Sequence, residues 1–211
     1  MMIGVERMAH ELGTGAGGTA VAALVDAIRG LYRARAPVML AEHRCEPATD
    51  AAVDEFESRL GSALPADYRA FLLLNDVRHN FEYNFECLPF DRVVRAWERM
   101  TGCLREGVFD DGRVGRHLGE GFGNWEGGRL REVWWSPGWV PISQDSAGNM
   151  RCVDGDPGPN GVRHQLIDME VQGEQGPFVS RYASFEAYLV AHWKHLEAGR
   201  YVVEDWGIEI R

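Results

Sequence analysis

The chain has 211 residues, 45% of them hydrophobic and 26% charged, and 32 acidic against 22 basic residues leave a net charge of −10. That length buries one substantial core, and those fractions are the ordinary ones of a soluble globular domain. The acidic balance excludes a nucleic-acid footprint, no apolar stretch is long enough to span a bilayer, and four scattered cysteines without a Cys-x-x-Cys pair argue against a zinc knuckle or redox motif.

From the N-terminus, Gly13, Gly15 and Gly18 have the spacing of a dinucleotide fingerprint. That fingerprint needs a hydrophobic strand before it, and the preceding VERMAHEL is polar and helix-like, so the glycines read as a lead into the first helix. With no cationic, apolar and cleavable start, the chain is expected to be cytoplasmic with reduced thiols. Val21, Leu24, Val25, Ile28, Leu31 and Tyr32 form a helical stripe ending before Pro37, which predicts a helix over 20–34. Residues 1–41 are read as a helical extension to a domain over 42–211. Val53, Phe56 and Leu60, followed by Gly61, predict a helix over 50–60, and Pro65 opens another over 65–75.

The periodicity then changes. Phe81, Tyr83, Phe85 and Cys87 alternate with Glu82, Asn84 and Glu86, predicting one strand over Phe81–Cys87 with a wet face. Asp91 is the expected cap of a helix over 91–104. Residues 107–128 are rich in glycine and charge and read as a long loop or loose hairpin. Strands follow at EVWW (132–135), Trp139–Ile142, Met150–Val153 and Leu166–Val171, and Ser184 caps a last helix over 184–198. Helices, then strands on short turns, then a helix predict an α+β domain with a mostly antiparallel sheet packed against helices.

Candidate chemistry is sparse. His192 and His195 share the last helix without a glutamate between them, and His192 lies on the apolar stripe, so the pair reads as a core-edge and a surface histidine. No Gly-x-Ser-x-Gly elbow is present. CVDGDPGPNGVRHQLID sets Asp154 and Asp156 at positions one and three of a calcium loop, but position six is Pro159 and position twelve is Gln165. It reads instead as a structured turn in which Asp154 and Asn160 bond backbone amides. No metal and no cofactor are expected.

LGSALPADYRAFLLLND, WVPISQDSAGNMRCVDGDPGPNGVRHQLID and SFEAYLVAHWKHLEAGRY, in that order from about Thr49 to Tyr201, resemble the SUKH superfamily. That group joins the fungal cell-wall-assembly regulator to many bacterial immunity proteins. The resemblance implies a non-enzymatic protein-binding module. Bacterial relatives neutralise toxins by direct binding; fungal ones act as signalling and cell-wall scaffolds. An immunity protein that blocks a cognate toxin is the first reading. A regulatory scaffold, and a small enzyme with an unrecognised site, are the alternatives. Asp145, Asn149, Asp154 and Pro157 match motif positions and read as turn formers. From Glu106 onward acidic residues outnumber basic ones 17 to 10, against 15 to 12 before it. The expected partner is therefore a basic toxin domain, with neither nucleic acid nor membrane involved. Asp110, Asp111, Glu120, Glu126, Asp145, Asp154 and Asp156 would meet its charge, with Phe122 and Trp125 as aromatic anchors.

Overall fold

The structure is a computed structural model, and it describes residues 17–82, 85–109, 125–171, 175–204 and 207–210. Helix α1 spans Gly17–Arg35, with Val21, Leu24, Val25, Ile28 and Tyr32 buried as their spacing predicts. A short α2, Pro37–Glu42, follows with proline at its start. Helix α3, Asp50–Leu60, is bounded as its sequence dictates: Thr49 Oγ1 accepts the Ala52 N–H at 3.2 Å, and Gly61 ends it at φ 75°. Helix α4 is Ala66–Leu74, so Pro65 precedes the first turn rather than opening it.

The six-stranded sheet is a meander in chain order, antiparallel at every step. The predicted single strand Phe81–Cys87 is two: β1, Asn80–Glu82, and β2, Phe85–Cys87, paired antiparallel with each other. Alternation marks extended backbone equally well on both arms of a hairpin, so it could not reveal the reversal. Helix α5, Phe90–Arg105, follows Pro89, and no side chain caps it; Asp91 lies inside the first turn, correcting its expected capping role. Strands β3, Trp139–Gln144, and β4, Met150–Asp154, form the centre, followed by β5, Leu166–Glu170, and β6, Gln175–Val179. Pro141 sits inside central β3, and the register shifts between Pro141 and Ser143, the kind of irregularity that tolerates a missing donor. Helix α6, Phe185–Glu197, is capped by Ser184, whose Oγ accepts the Ala187 N–H at 3.1 Å. A hairpin of β7, Tyr201–Glu204, and β8, Gly207–Ile210, closes the described chain and lies against β1. Sequence periodicity did not predict α2, β6, β7 or β8.

EVWW is not a strand. Glu132–Trp134 runs as bends and Trp135 is irregular, with both tryptophans buried. Trp135 sets its ring edge-on to Trp139 and donates from Nε1 to Thr101 Oγ1 at 3.3 Å. The aromatic run fills core between α5 and the sheet instead of joining the ladder. Gly13 and Gly15 lie outside the described residues, as does most of the predicted 107–128 loop; Trp125–Gly128 forms one 3-10 turn.

Residues Trp139–Ser143 and Met150–Asp154 are buried without alternation, so both sheet faces are covered. Helix α5 lies along β3, and α1 packs on α4 and α6. Residues 17–42 thus share one hydrophobic core with the domain. A polar chain runs through that core. His79 Nε2–H donates to Asn75 Oδ1 at 2.8 Å, which leaves Nδ1 to accept from Tyr32 O–H at 2.9 Å. Tyr32 then accepts from His192 Nε2–H at 3.0 Å. His192 is therefore wholly interior, not at the core edge, and His195 is half-buried rather than on the surface. No described helix is long and apolar enough to cross a membrane.

Candidate functional site

The DGDPGPNG run ends strand β4 and folds back over its own sheet. Asp154 is fully buried; its Oδ1 accepts the Asp156 N–H at 2.9 Å and its Oδ2 accepts Gln165 Nε2 at 2.8 Å. Burial pushes its carboxyl above the ordinary range, while those two donors act in the opposite direction. Asp156 accepts from Ser136 Oγ at 2.6 Å and pairs with Arg131 at 2.8 Å. The far side of the turn is stitched to the segment before EVWW. Gly158 N–H donates to Arg129 O, Asn160 N–H to Gly128 O, and Asn160 Nδ2 to Gly127 O, at 2.9–3.1 Å.

Backbone lies on backbone here, which is why the run is so rich in glycine. A Cβ on Gly161 would stand 2.1 Å from Arg129 O, and one on Gly158 2.4 Å from both Gly128 O and Leu130 O. Gly138, facing Asp156, and Gly155, facing Gly138 O, are equally closed to a side chain. His164 is held in the left-handed region at φ 69°, its N–H donating to Asp154 O at 2.6 Å. On this base Pro159, Asn160, Val162 and Arg163 are exposed, and Val162 keeps 69% of its surface.

The remaining predicted residues lie elsewhere. Asp145 is at the opposite end of the β3–β4 hairpin, where Oδ1 accepts from Ala147 N–H and Asn149 N–H and Oδ2 from Asn149 Nδ2. The three described aspartates therefore do not form one patch. Asp110, Asp111, Glu120 and Phe122 lie outside the described residues, as do the side chains of Trp125 and Glu126. The backbone turn carrying Trp125 and Glu126 runs directly into the glycines that hold Asn160. Gln165, Ser136, Arg131 and Gly138 escaped sequence reasoning. Only the density of glycine and proline in DGDPGPNG hinted at the close packing they serve.

The groups most capable of chemistry are occupied. Burial pushes the Cys45 thiol up to about 11 and those of Cys87 and Cys152 well up, so all three stay protonated. Burial pulls His79 down to about 3 and His192 well below the imidazole range, so both are neutral at pH 7. On the sheet, Arg151 is buried beneath the rings of Phe85, Tyr182 and Tyr188, bonded to Asp168 Oδ1 at 2.6 Å and Glu82 Oε2 at 3.0 Å. Burial would raise the Glu82 carboxyl, but donors from Tyr182, Arg151 and Arg181 outweigh it and hold the group below its usual range. That hub ties β1, β4, β5 and α6 together. A shallow groove of about 1070 Å³ runs between Arg44–Thr49, Asp76–Arg78 and Pro89–Asp91, with both signs of charge on its walls. Among the described residues, no group of three His, Cys, Asp or Glu is arranged to hold a metal ion.

Two comparisons bear on these elements. A family model described as SMI1 / KNR4 family (SUKH-1) matches residues 47–191. The cell wall biosynthesis/cell cycle regulator smi1 of Schizosaccharomyces pombe is 26% identical over 171 residues, covering 76% of this chain and 33% of the regulator. The chain thus spans about a third of that relative's length.

Proposed function

Because this chain belongs to the SMI1 / KNR4 family (SUKH-1), we propose that it is a non-enzymatic protein-binding module, and that it binds and neutralises a cognate toxin in the cytoplasm. One observation carries this reading. The turn over 155–165 is pinned on both sides by backbone hydrogen bonds, yet holds Pro159, Asn160, Val162 and Arg163 out to solvent. A loop ordered before it meets a partner pays little conformational entropy on binding, and an exposed aliphatic tip on a rigid base is what a partner's pocket can take. The chain's acidic excess, Glu126, Glu120, Asp111 and Asp110 among it, would speed the encounter with a basic domain.

A regulatory scaffold is the second reading, favoured by the likeness to a cell wall biosynthesis/cell cycle regulator. Co-expression with the neighbouring open reading frame, scored by growth of the host cell, separates the two. Under the immunity reading the parent protein rescues growth, and Val162→Asp loses rescue while its melting temperature stays within about a degree, as a surface substitution should. Growth arrest despite abundant folded parent protein would overturn that reading in favour of the scaffold.

A further inference from the structure

We propose that Arg92, Arg95 and Arg99 on helix α5, with Gln144 at the end of β3, form a docking site for an acidic peptide segment. The core-facing side of this helix is buried through Val93, Trp97 and Met100, and the arginines at i, i+3 and i+7 are left on one outward stripe beside it. They border a shallow concavity of about 350 Å³ completed by Ala96 and Gln144, and no carboxylate lines it. Arg99 is exposed and has no ion-pair partner among the described residues. Arg95 is 67% exposed and pairs only with Asp91, itself 64% exposed; Arg92 pairs with Glu86 at the rim. The solvated Arg95–Asp91 pair yields readily to a better-placed carboxylate, while the partly buried Arg92–Glu86 pair stays in place. Gln144 commits one amide N–H to Gly148 O at 3.3 Å, which leaves its carbonyl oxygen for a peptide N–H.

The spacing favours an extended segment. Arg95 and Arg99 are separated by about 6 Å of helix rise, close to the ~6.6 Å between alternate side chains of an extended chain. The whole stripe is about 10 Å long, enough for two or three carboxylates and longer than a single anion needs. Overall charge argues against nucleic acid. A continuous polyanion would run past the stripe over the surface of a protein of net −10, within a Debye length of about 8–10 Å of its carboxylates, whereas a short acidic segment meets only the stripe. The site is opposite in sign to the acidic surface invoked for a toxin and lies toward the other end of the hairpin, so it does not depend on that reading.

The test is fluorescence anisotropy at low salt with a labelled six-residue peptide alternating glutamate and serine, beside its glutamine counterpart. The parent protein is expected to bind the acidic peptide and not the neutral one. Arg95→Gln with Arg99→Gln is expected to weaken binding about tenfold or more, and added salt to weaken the parent's binding, because the contacts are charge-assisted and exposed. Both positions are solvent-facing, so the melting temperature should not move, and Arg163→Gln at the far turn should leave binding unchanged. Equal binding of both peptides, no binding at all, unchanged affinity in the double variant, or tighter binding of a single-stranded oligonucleotide would each overturn the proposal.

Discussion

The two ends of the β3–β4 hairpin carry the same residue type to opposite purposes. At the closed end, Asp145 bonds groups two and four residues away, so the turn is assembled from its own short segment. At the open end, Asp154 is interior and reaches Gln165, while its neighbours bond residues 127–131 and Ser136, far away in sequence. Local turns cost little to break and report little about the fold. Long-range ones depend on the whole domain being in place, and they concentrate strain and closeness where a side chain cannot be added.

The sharpest way to break that contrast is a methyl group. Gly161→Ala would drive a Cβ into the Arg129 carbonyl, and overpacking against backbone should cost about 3 kcal/mol or more. Gly148→Ala in the closed-end turn meets nothing nearer than 3.9 Å and suffers only its φ of 90°, about 1–2 kcal/mol. Urea unfolding of both variants measures the gap; equal losses would mean that the open end is no more closely packed than the closed one. Next in size, Asp154→Ala leaves the Gln165 amide and the Asp156 N–H without their acceptor in a buried setting and should cost about 2–3 kcal/mol. Asp154→Asn, which keeps one acceptor, should lose less.

Acid provides a third comparison, between these turns and the Tyr32–His79–His192 chain. Both imidazoles have folded pKa values below the unfolded one of about 6.5, so the unfolded state binds more protons and stability falls as pH drops below that value, for His79 down to about 3. Going from pH 7 to 5.5 should remove about 2 kcal/mol. The raised carboxyl of Asp154 acts in the other sense, gaining stability as pH falls, and partly offsets that loss at lower pH. A chemical-denaturation series across this range that stayed flat would show that the histidines are not held neutral. The smallest effect belongs to Asp145→Ala, which gives up a local turn acceptor and should cost about 1 kcal/mol, with no change in the Val162 end.

Much of the framework was legible in the sequence because its determinants are local. Stripes at helical spacing located α1, α3, α4, α5 and α6, and Gly61 and Ser184 marked ends that the backbone honours. Errors arose where the deciding partner was distant. Nothing within FEYNFEC says that the chain reverses between Glu82 and Phe85, and nothing within EVWW says that Thr101 and Trp139 are waiting for Trp135. The candidate site shows the same division. Asp154 was readable as a turn former from its neighbours, but its burial and its tie to Gln165 depend on a sheet that must already exist.

Tyr32 draws a boundary that the family match does not. The residues matched by the family model begin at 47, yet the hydroxyl that His79 and His192 share comes from α1, and so do four of the core's apolar side chains, Val21, Leu24, Val25 and Ile28. A fragment excised at the family boundary would have two interior imidazoles facing an empty seat and an apolar trough open to water. The segment matched by the family model and the folding module are different lengths of the same chain. Swapping this domain between proteins should therefore carry α1 along, whatever lies between residues 36 and 47.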